Sequence, residues 1–527
     1  MLRRDQEETV RKILNVLEKH RVAVLRAPTG FGKTLTGLEV ARRFNDETLI
    51  AVRTRNQLSR YIEDMAIFYR EVPRVLLNRL LTCFKYGQQC NTCIFNNVLD
   101  QDEVIMNKLF DPYDRTVQYY FRSRGACIYR TYLSFDSDIT VCTYPFIINP
   151  RLRKRLSPSL VIIDEAHNLE SLVSISVEYS KIIMLLEKVL NEIKRRNIKD
   201  SSIIQSINYI IRNVRNIKSL DNVDKIVEEF YNIFELLYRD SSPSIDTAEL
   251  FIEVVSSFET ALELGLDYIT IDENMIMFRS LDLSMIGRFL DNFDKVLLMS
   301  ATLPDKWFLR NIWNIRDLEV IEVEYRYPNT EAIIISEVTS RYDSRSIEMY
   351  RKYGKLIDNI FKQAEKIMLV FFPSREFMNN VLKHVSSRYI TGQSIGEIIK
   401  QAYNSKVMIV DIVGGRLSEG VELVDRSCRR TLVSDVVIVG VPYPKYDTYM
   451  RRLLKQLEDR GIRPEVYLIE KAWMGIRQAV GRATRMGYEG RVKIWLLDSR
   501  YLAEVWVRKI RSIVNSVKVL PACSLLH

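Results

Sequence analysis

The run Ala27-Pro28-Thr29-Gly30-Phe31-Gly32-Lys33-Thr34 sets two glycines, a lysine and a hydroxyl in the order that a polyphosphate requires. Gly30 and Gly32 let backbone N–H groups approach phosphate oxygens, Lys33 can reach the β and γ oxygens, and the Thr34 hydroxyl can ligate Mg²⁺. Ala27 stands where such loops usually begin with glycine. Val22 to Leu25 reads as a strand and Leu35 to Phe44 as a helix, which is the strand-loop-helix setting this chemistry needs. The complementary half is Val161-Ile162-Ile163-Asp164-Glu165-Ala166-His167, a buried strand ending in two adjacent carboxylates. Asp164 would hold Mg²⁺ through water, and Glu165 would orient or deprotonate an attacking water. Paired carboxylates after a strand also suit an ordinary helix N-terminus. With the phosphate loop upstream, hydrolysis of a nucleoside triphosphate is the better reading.

A second constellation is made of thiols. The pair Cys90-Asn91-Thr92-Cys93 is flanked by Cys83 on one side and Cys127 on the other. Four thiolates can close a tetrahedral zinc site or hold an iron–sulfur cluster, and spacing alone does not separate the two. The four histidines, His20, His167, His384 and His527, are too few for a histidine-rich metal site. Cys142, Cys428 and Cys523 read as packed or idle thiols.

These groups must be carried by several folded units. At roughly 150 residues per domain, 527 residues predict three or four. Hydrophobic residues at 47% and charged residues at 27% are ordinary for globular chains, which argues against wholesale disorder and fibrous repeats. No apolar run approaches the roughly 18 residues needed to span a bilayer, and the charged start Met1-Leu2-Arg3-Arg4-Asp5 does not suit a signal peptide. The expectation is a soluble protein that stays where it is made. Its seven cysteines therefore argue for thiol chemistry other than a disulfide framework. A net charge of +10 and a pI of about 9.0 favour a polyanionic partner.

Apolar β-rich runs alternate with helical stretches from Val22 to Val52, and the texture returns at Val161–Ile163 and Val296–Met299. It appears again at Ile367–Phe371, Val407–Val410, Val436–Val439 and Val492–Leu497. Two parallel α/β sheets follow from this alternation. Two stretches interrupt the first sheet. Residues 81–129 hold the four cysteines and lack a sustained period. The second stretch, about Glu170 to Arg279, is expected to be helical, with apolar stripes through Ile182, Leu185, Leu186, Val189 and Ile193, and through Ile203, Ile207, Ile210, Val214 and Ile217. A third stripe from Val223 to Leu237 has Asp221 as its expected N-cap. Such stripes are core faces of a small bundle.

The Asp164-Glu165-Ala166-His167 box, with Ser300-Ala301-Thr302 after another buried strand, resembles a superfamily 2 helicase. The resemblance extends along nearly the whole chain. Gln6 in Arg3-Arg4-Asp5-Gln6 looks like the adenine-sensing glutamine, and Arg53-Thr54-Arg55 sits where such enzymes touch the DNA backbone. Gly414-Gly415-Arg416-Leu417-Ser418-Glu419-Gly420-Val421-Glu422-Leu423 resembles motif V, with Glu419 and Gly420 toward the nucleotide. Gln478-Ala479-Val480-Gly481-Arg482-Ala483-Thr484-Arg485 resembles motif VI, which carries arginine fingers. A guanidinium entering a P-loop site neutralises charge developing on the γ-phosphate. Arg482 and Arg485, three apart on an expected helix, can share one face. Placing them on the other sheet makes hydrolysis depend on domain closure, which can drive stepping along a strand.

The cysteines then select the subfamily. A four-cysteine insertion ahead of Asp164 and a helical insertion after it resemble the XPD/Rad3 family of iron–sulfur helicases, DinG-like relatives included. Ala126-Cys127-Ile128-Tyr129 and Val141-Cys142-Thr143-Tyr144-Pro145-Phe146 fit that family's order. The short Cys83-to-Cys90 spacing, Ile128, Glu422 and Thr484 depart from its usual pattern. The resemblance implies a 5′-to-3′ ATP-dependent DNA helicase, acting in DNA repair, with ATP, magnesium and a 4Fe–4S cluster as cofactors.

The expected division is 1–80, 130–169 and 286–325 for the first RecA-like motor domain, 81–129 for the cluster domain, 170–285 for a helical arch and 326–527 for the second motor domain. The implied roles are cluster ligation by Cys83, Cys90, Cys93 and Cys127, coupling by His167, Ser300 and Thr302, and DNA contact by Arg53, Arg55, Lys85, Tyr86, Arg122, Arg124 and Tyr144. Partners would be single-stranded DNA, duplex junctions and repair proteins, with the chain a monomer in the cytoplasm of an archaeal-type cell, associated with the nucleoid. Two rivals use the same phosphate loop: a small-molecule phosphotransferase, which leaves the second sheet unexplained, and a non-catalytic DNA-binding scaffold, against which Glu165 and Arg482 speak. Within the favoured class, a DinG-like helicase acting on R-loops is the nearest alternative.

Overall fold

The computed structural model describes residues 2–85, 90, 93–148, 153, 156–239, 242–272, 274–325, 327, 329–391, 405–415, 423–425, 430–484, 486 and 489–526. The chain divides into two compact units. One comprises Met1–Leu25, Lys33–Met299 and Lys306–Ile321; the other comprises Arg26–Gly32, Ser300–Asp305 and Glu322–His527. Among the described residues, no helix is long and apolar enough to cross a membrane.

The first unit is built on seven strands: β1 (Val22–Arg26), β2 (Thr48–Val52), β3 (Arg74–Val75), β4 (Ile139–Thr143), β5 (Leu160–Asp164), β9 (Lys295–Ser300) and β10 (Leu318–Glu322), in the order β10-β1-β9-β5-β2-β4-β3. β2 and β5 are buried at all five positions, as strands covered on both faces must be, and β2 pairs in parallel with both β4 and β5. Three helices cover this sheet: α1 (Arg4–Lys19), α2 (Lys33–Phe44) and α3 (Arg55–Tyr69). α1 turns Gln6, Thr9, Val10, Ile13 and Leu17 inward, the spacing of one helical face. α3 starts at a capping box in which Thr54 Oγ1 accepts the Gln57 N–H at 3.3 Å and Gln57 Oε1 accepts the Thr54 N–H at 3.0 Å. That box fixes where Arg53 and Arg55 leave the sheet.

The cysteine stretch lies between β3 and β4. Its short helices include α4 (Arg79–Thr82), α5 (Arg115–Ser123) and α6 (Ile128–Ser134). Asn78 caps α4 and Asp114 caps α5 through their side-chain oxygens. The packing around the buried Phe121, Tyr132 and Phe135 rings gives this region a core of its own.

The second insertion is a bundle of α7 (Tyr179–Arg196), α8 (Ser201–Asn213), α9 (Leu220–Leu237) and α10 (Ile245–Glu263). The stripes Ile182–Ile193, Ile203–Ile210 and Val223–Leu237 face its core. Two details differ from the sequence expectation. The N-cap of α9 is Ser219, with extended backbone, and Asp221 lies inside the first turn, where the helix dipole favours an anion. The insertion is also not wholly helical: β6 (Ser174–Glu178), β7 (Tyr268–Ile271) and β8 (Met275–Arg279) form an antiparallel sheet in the order β6-β8-β7. These strands hold four or five residues each, too few to show a period in the sequence.

The second unit has its own seven-stranded sheet, ordered β13-β14-β12-β17-β18-β11-β19. Its strands are β11 (Thr330–Ile335), β12 (Ile367–Phe372), β13 (Tyr389–Ile390), β14 (Val407–Ile412), β17 (Val433–Val439), β18 (Val492–Leu497) and β19 (Ser516–Leu520). A two-stranded ribbon of β15 (Val424–Asp425) and β16 (Arg430–Thr431) precedes β17. β11, β12, β17 and β18 pair in parallel with their neighbours. One face packs on α11 (Ile347–Gln363), the other on α13 (Pro464–Val480) and α14 (Glu504–Arg511); α12 (Thr448–Asp459) precedes α13. Two parallel sheets in α/β surroundings therefore stand as the sequence predicts.

Candidate nucleotide site and nucleic-acid surface

β1 delivers the chain to the phosphate loop, and α2 begins at Lys33. Gly30 and Gly32 have φ of +87° and +89°, a left-handed backbone that only glycine adopts without strain. Between them Phe31 is wholly buried and anchors the loop. At the end of β5, Asp164 is 5% exposed. Its Oδ1 accepts the Glu165 N–H at 2.9 Å, and its Oδ2 accepts the Tyr61 hydroxyl at 3.2 Å. Burial, with the charge of Glu165, pushes the Asp164 carboxyl up to about 7, while Lys33 and the two hydrogen bonds pull the other way. Lys33 and Asp164 therefore feel each other's charge, as one cation-and-phosphate site requires.

Glu165 has φ +52°, the left-handed conformation that a residue with a Cβ adopts only at a cost of about 1–3 kcal/mol. It is the N-cap of the 3-10 turn Ala166–Val173, and its side chain makes no capping hydrogen bond. His167 Nδ1 lies 3.3 Å from Glu165 Oε2, so the histidine orients this carboxylate. The sequence reading missed Tyr61. It lies in the buried stripe Leu58, Tyr61, Ile62, Met65 of α3, and a hydroxyl within an apolar stripe was the available signal.

The raised Asp164 pKa makes a stability prediction. Between its unfolded value near 4 and its folded value near 7, the native state binds a proton that the unfolded chain does not, so stability falls as pH rises through this window. Three units correspond to no more than about 4 kcal/mol. Without nucleotide and metal, Asp164→Asn raises Tm by a few degrees at pH 8, and the difference closes toward pH 4–5. Thermal melts with EDTA at both pH values check this; an equal shift at both would place the gain elsewhere.

Gln6 is buried, and its Oε1 accepts the Arg3 N–H at 2.9 Å, tying it to the start of α1. Ser300 and Thr302 are buried, and Ser300 Oγ accepts the Thr302 N–H at 3.1 Å. The helix expected to carry both motif VI arginines is shorter than the sequence suggested: α13 ends at Val480 with Gly481 as its C-cap. Past the cap, Thr484 donates both its N–H (3.1 Å) and its hydroxyl (2.8 Å) to the Val480 carbonyl. Gln478 is therefore on the helix and Arg482 in the turn after it. Arg485, Glu419, Gly420 and Tyr86 lie outside the described residues.

The helicase C-terminal domain family matches residues 357–516, and the family described as type III restriction enzyme, res subunit, matches residues 1–196. The ATP-dependent DNA helicase XPD of Sulfolobus acidocaldarius is 27% identical, over 98% of this chain and 100% of that protein. A solved structure titled XPD helicase superposes with a TM-score of 0.75 at 24% identity, over 99% of this chain and all of that one. Along its whole length the chain is similar to an XPD/Rad3-like superfamily 2 helicase, in sequence and in fold. The match to the ATP-dependent DNA helicase CHL1 of Kluyveromyces lactis is partial, at 24% identity over 71% of this chain and 57% of that protein. The structure of Xpd4 from S. tokodaii shares the fold at a TM-score of 0.62 and 18% identity, over 98% of this chain and all of that one.

The four cysteines lie in the insertion between β3 and β4. Cys83 ends α4, Cys127 is the N-cap of α6, and the Cys127 N–H donates to Asn97 O at 2.9 Å. Gly125, at φ +61°, precedes Ala126, which forms a bridge with Asn97, four residues after Cys93. Burial, with the charges of Cys83, Cys90 and Cys93, raises the Cys127 thiol above its ordinary range. Among the described residues, no three His, Cys, Asp or Glu side chains stand as close as ligands of a single ion do.

The residues expected to touch DNA fall into two groups. Arg53 and Arg122 are exposed, and Lys85 is half-buried. Arg124 is exposed but lies 3.4 Å from Glu103 and over the Tyr120 ring at 5.6 Å. Arg55 is paired with Glu249 of α10 at 2.6 Å and lies 5.1 Å from the Tyr113 ring centroid. Tyr144 is buried, and its hydroxyl donates to the Asp164 carbonyl at 2.6 Å. In this structure Tyr144 supports the carboxylate loop, because its position directly after β4 sets it beneath the end of β5.

Proposed function

We propose that this chain is an ATP-dependent DNA helicase of the XPD type that moves 5′ to 3′ along a single strand, parts the duplex and serves DNA repair. The observation that carries the reading is a Lys33 charge felt by the buried Asp164, next to a strained Glu165, in a chain that aligns end to end with an XPD helicase. Lys33 and the loop amides would bind the triphosphate, Thr34 and Asp164 would hold Mg²⁺, and Glu165 would orient the attacking water. Arg482 and Arg485 would stabilise charge on the γ-phosphate. Arg53, Lys85, Tyr86, Arg122 and Arg124 would meet the strand, where phosphate contacts make binding salt-dependent.

Cys83, Cys90, Cys93 and Cys127 would hold a 4Fe–4S cluster. The donor set supports this: four thiols without a carboxylate or imidazole, with Cys127 feeling the charges of the other three. The cluster, when bound, would brace the segment that meets the duplex.

The test is unwinding of duplexes with a 5′ or a 3′ single-strand tail, with ATP and Mg²⁺, on anaerobically purified protein assayed for iron, sulfide and zinc. Iron near four per chain and 5′-tail-dependent unwinding are expected. A 3′-tail preference overturns the polarity, zinc overturns the cluster, and ATP hydrolysis indifferent to DNA overturns the helicase reading in favour of a phosphotransferase.

A further inference from the structure

Arg477 sits in the last turn of α13, one residue before Gln478. Its Nη2 donates to the Leu303 carbonyl at 2.5 Å, and its Nε is buried without a hydrogen-bond partner. Leu303 is itself fully buried and follows Ser300-Ala301-Thr302. The Ser300 carbonyl in turn accepts the N–H of Ala27, the first residue of the phosphate loop, at 3.3 Å. On the other side of the turn, the Met486 N–H donates to Thr29 O at 2.9 Å, and a Cβ at Gly481 would stand 3.1 Å from Thr29 Oγ1. All of these residues belong to one compact unit.

The remaining surroundings leave Arg477 little choice of partner. Arg26 at the end of β1 is a like charge and is paired with Glu322 at 3.4 Å. Glu470, two turns earlier on α13, is paired with Lys509 at 2.5 Å. Burial and Arg26 lower the Arg477 proton affinity to about 10, so the guanidinium is charged at neutral pH. An enclosed cation beside a like charge is costly unless its hydrogen bonds are strong. The bond to the Leu303 carbonyl is what keeps this side chain, and with it the end of α13, in place.

We propose that Arg477 is a positioning residue that locks the backbone after Thr302 to the end of α13, so that movement of the Ser300-Ala301-Thr302 segment shifts Gln478 and Arg482 and DNA occupancy alters ATP turnover. This rests on the helicase reading above. Ser300 and Thr302 were expected to couple from the sequence; Arg477 supplies the covalently continuous path to motif VI. An arginine one residue before Gln478 carries no motif of its own, and only its burial reveals it.

The test is the ratio of ATP turnover with and without saturating single-stranded DNA, measured on the full chain together with KM for ATP and Tm. Arg477→Met, which fills similar space without donors, lowers that ratio by about fivefold, on the scale of coupling energies between sites, while basal turnover and KM stay within about twofold. Arg477→Lys restores at least half of the ratio. If the Met variant does not fold, Arg477→Gln, too short to reach the Leu303 carbonyl, gives the same loss. A ratio equal to wild type, or equal losses of basal and stimulated turnover with a lower Tm, overturns the proposal. Wild-type protein without DNA stimulation overturns the helicase reading first, so the two failures are distinguishable.

Discussion

Replacing Lys33 by Ala lowers ATP turnover by at least about 10²-fold, the scale for removing one preorganised charge donor from a phosphoryl-transfer site. The lysine opens α2 directly after the left-handed Gly32, the place at which a phosphate loop meets its helix. It is also the cation whose charge offsets the buried Asp164 carboxylate. Its removal therefore weakens both the hold on the β and γ oxygens and the ionised state of the magnesium ligand. The residues expected to meet the strand, Arg53, Lys85, Arg122 and Arg124, belong to other elements, so affinity for single-stranded DNA stays within about twofold. Steady-state phosphate release and fluorescence anisotropy separate these effects. Turnover retained in the variant would place the phosphate site elsewhere, and affinity lost in proportion would mean that Lys33 supports the fold.

Much of this architecture was legible because its elements are long or their chemistry is local. The stripes through Ile182–Ile193 and Val223–Leu237 bury the residues their spacing selected. The phosphate loop declares itself because glycine at Gly30 and Gly32 is a backbone requirement and not a packing preference. The strands β6, β7 and β8 were illegible: β6 is held by pairing with β8 about a hundred residues further on, and β7 and β8 form a hairpin of strands too short to show a period. The end of α13 at Val480 was also missed. Arg-x-x-Arg spacing suggests a shared helical face, but the helix is capped at Gly481, ahead of Arg482.

The site residues divide along the same line. Lys33, Asp164 and Glu165 were visible as a motif, whereas Tyr61, Tyr144 and Arg477 act on that motif from a distance in sequence. Tyr61 is 103 residues from Asp164, and Arg477 is 174 residues from Leu303. Nothing in the spacing of one chain reports such pairs. For Tyr144 and Arg55, exposure was the unstated premise of the sequence reading. The Tyr144 hydroxyl bonds to Asp164, and the Arg55 guanidinium pairs with Glu249, so each has a task within the protein that residue type alone does not reveal.

Cys127→Ser lowers duplex unwinding by at least about tenfold, within the range that ligands and their supports command at metal sites, while DNA-stimulated ATP turnover falls by much less. The substitution nearly conserves volume, and the backbone bond from Cys127 N–H to Asn97 O does not involve the thiol, so the turn into α6 survives. What is lost is one of the four thiols proposed to hold the cluster, which would cross-link the end of α4 at Cys83 to the start of α6 at Cys127. Between these anchors Phe84 and Phe95 pack edge to face at 5.0 Å, which is modest support without the cross-link. Lys33, Asp164 and Glu165 are held by β1, β5 and α2 and do not depend on that cross-link. Strand separation needs a rigid edge against which the duplex is forced, and ATP hydrolysis on single-stranded DNA does not. Gel-based unwinding and phosphate release on the same preparation, with iron content and Tm recorded, make the comparison. Equal loss of both activities at unchanged Tm would show that the cysteine segment serves the motor itself and not the parting of strands.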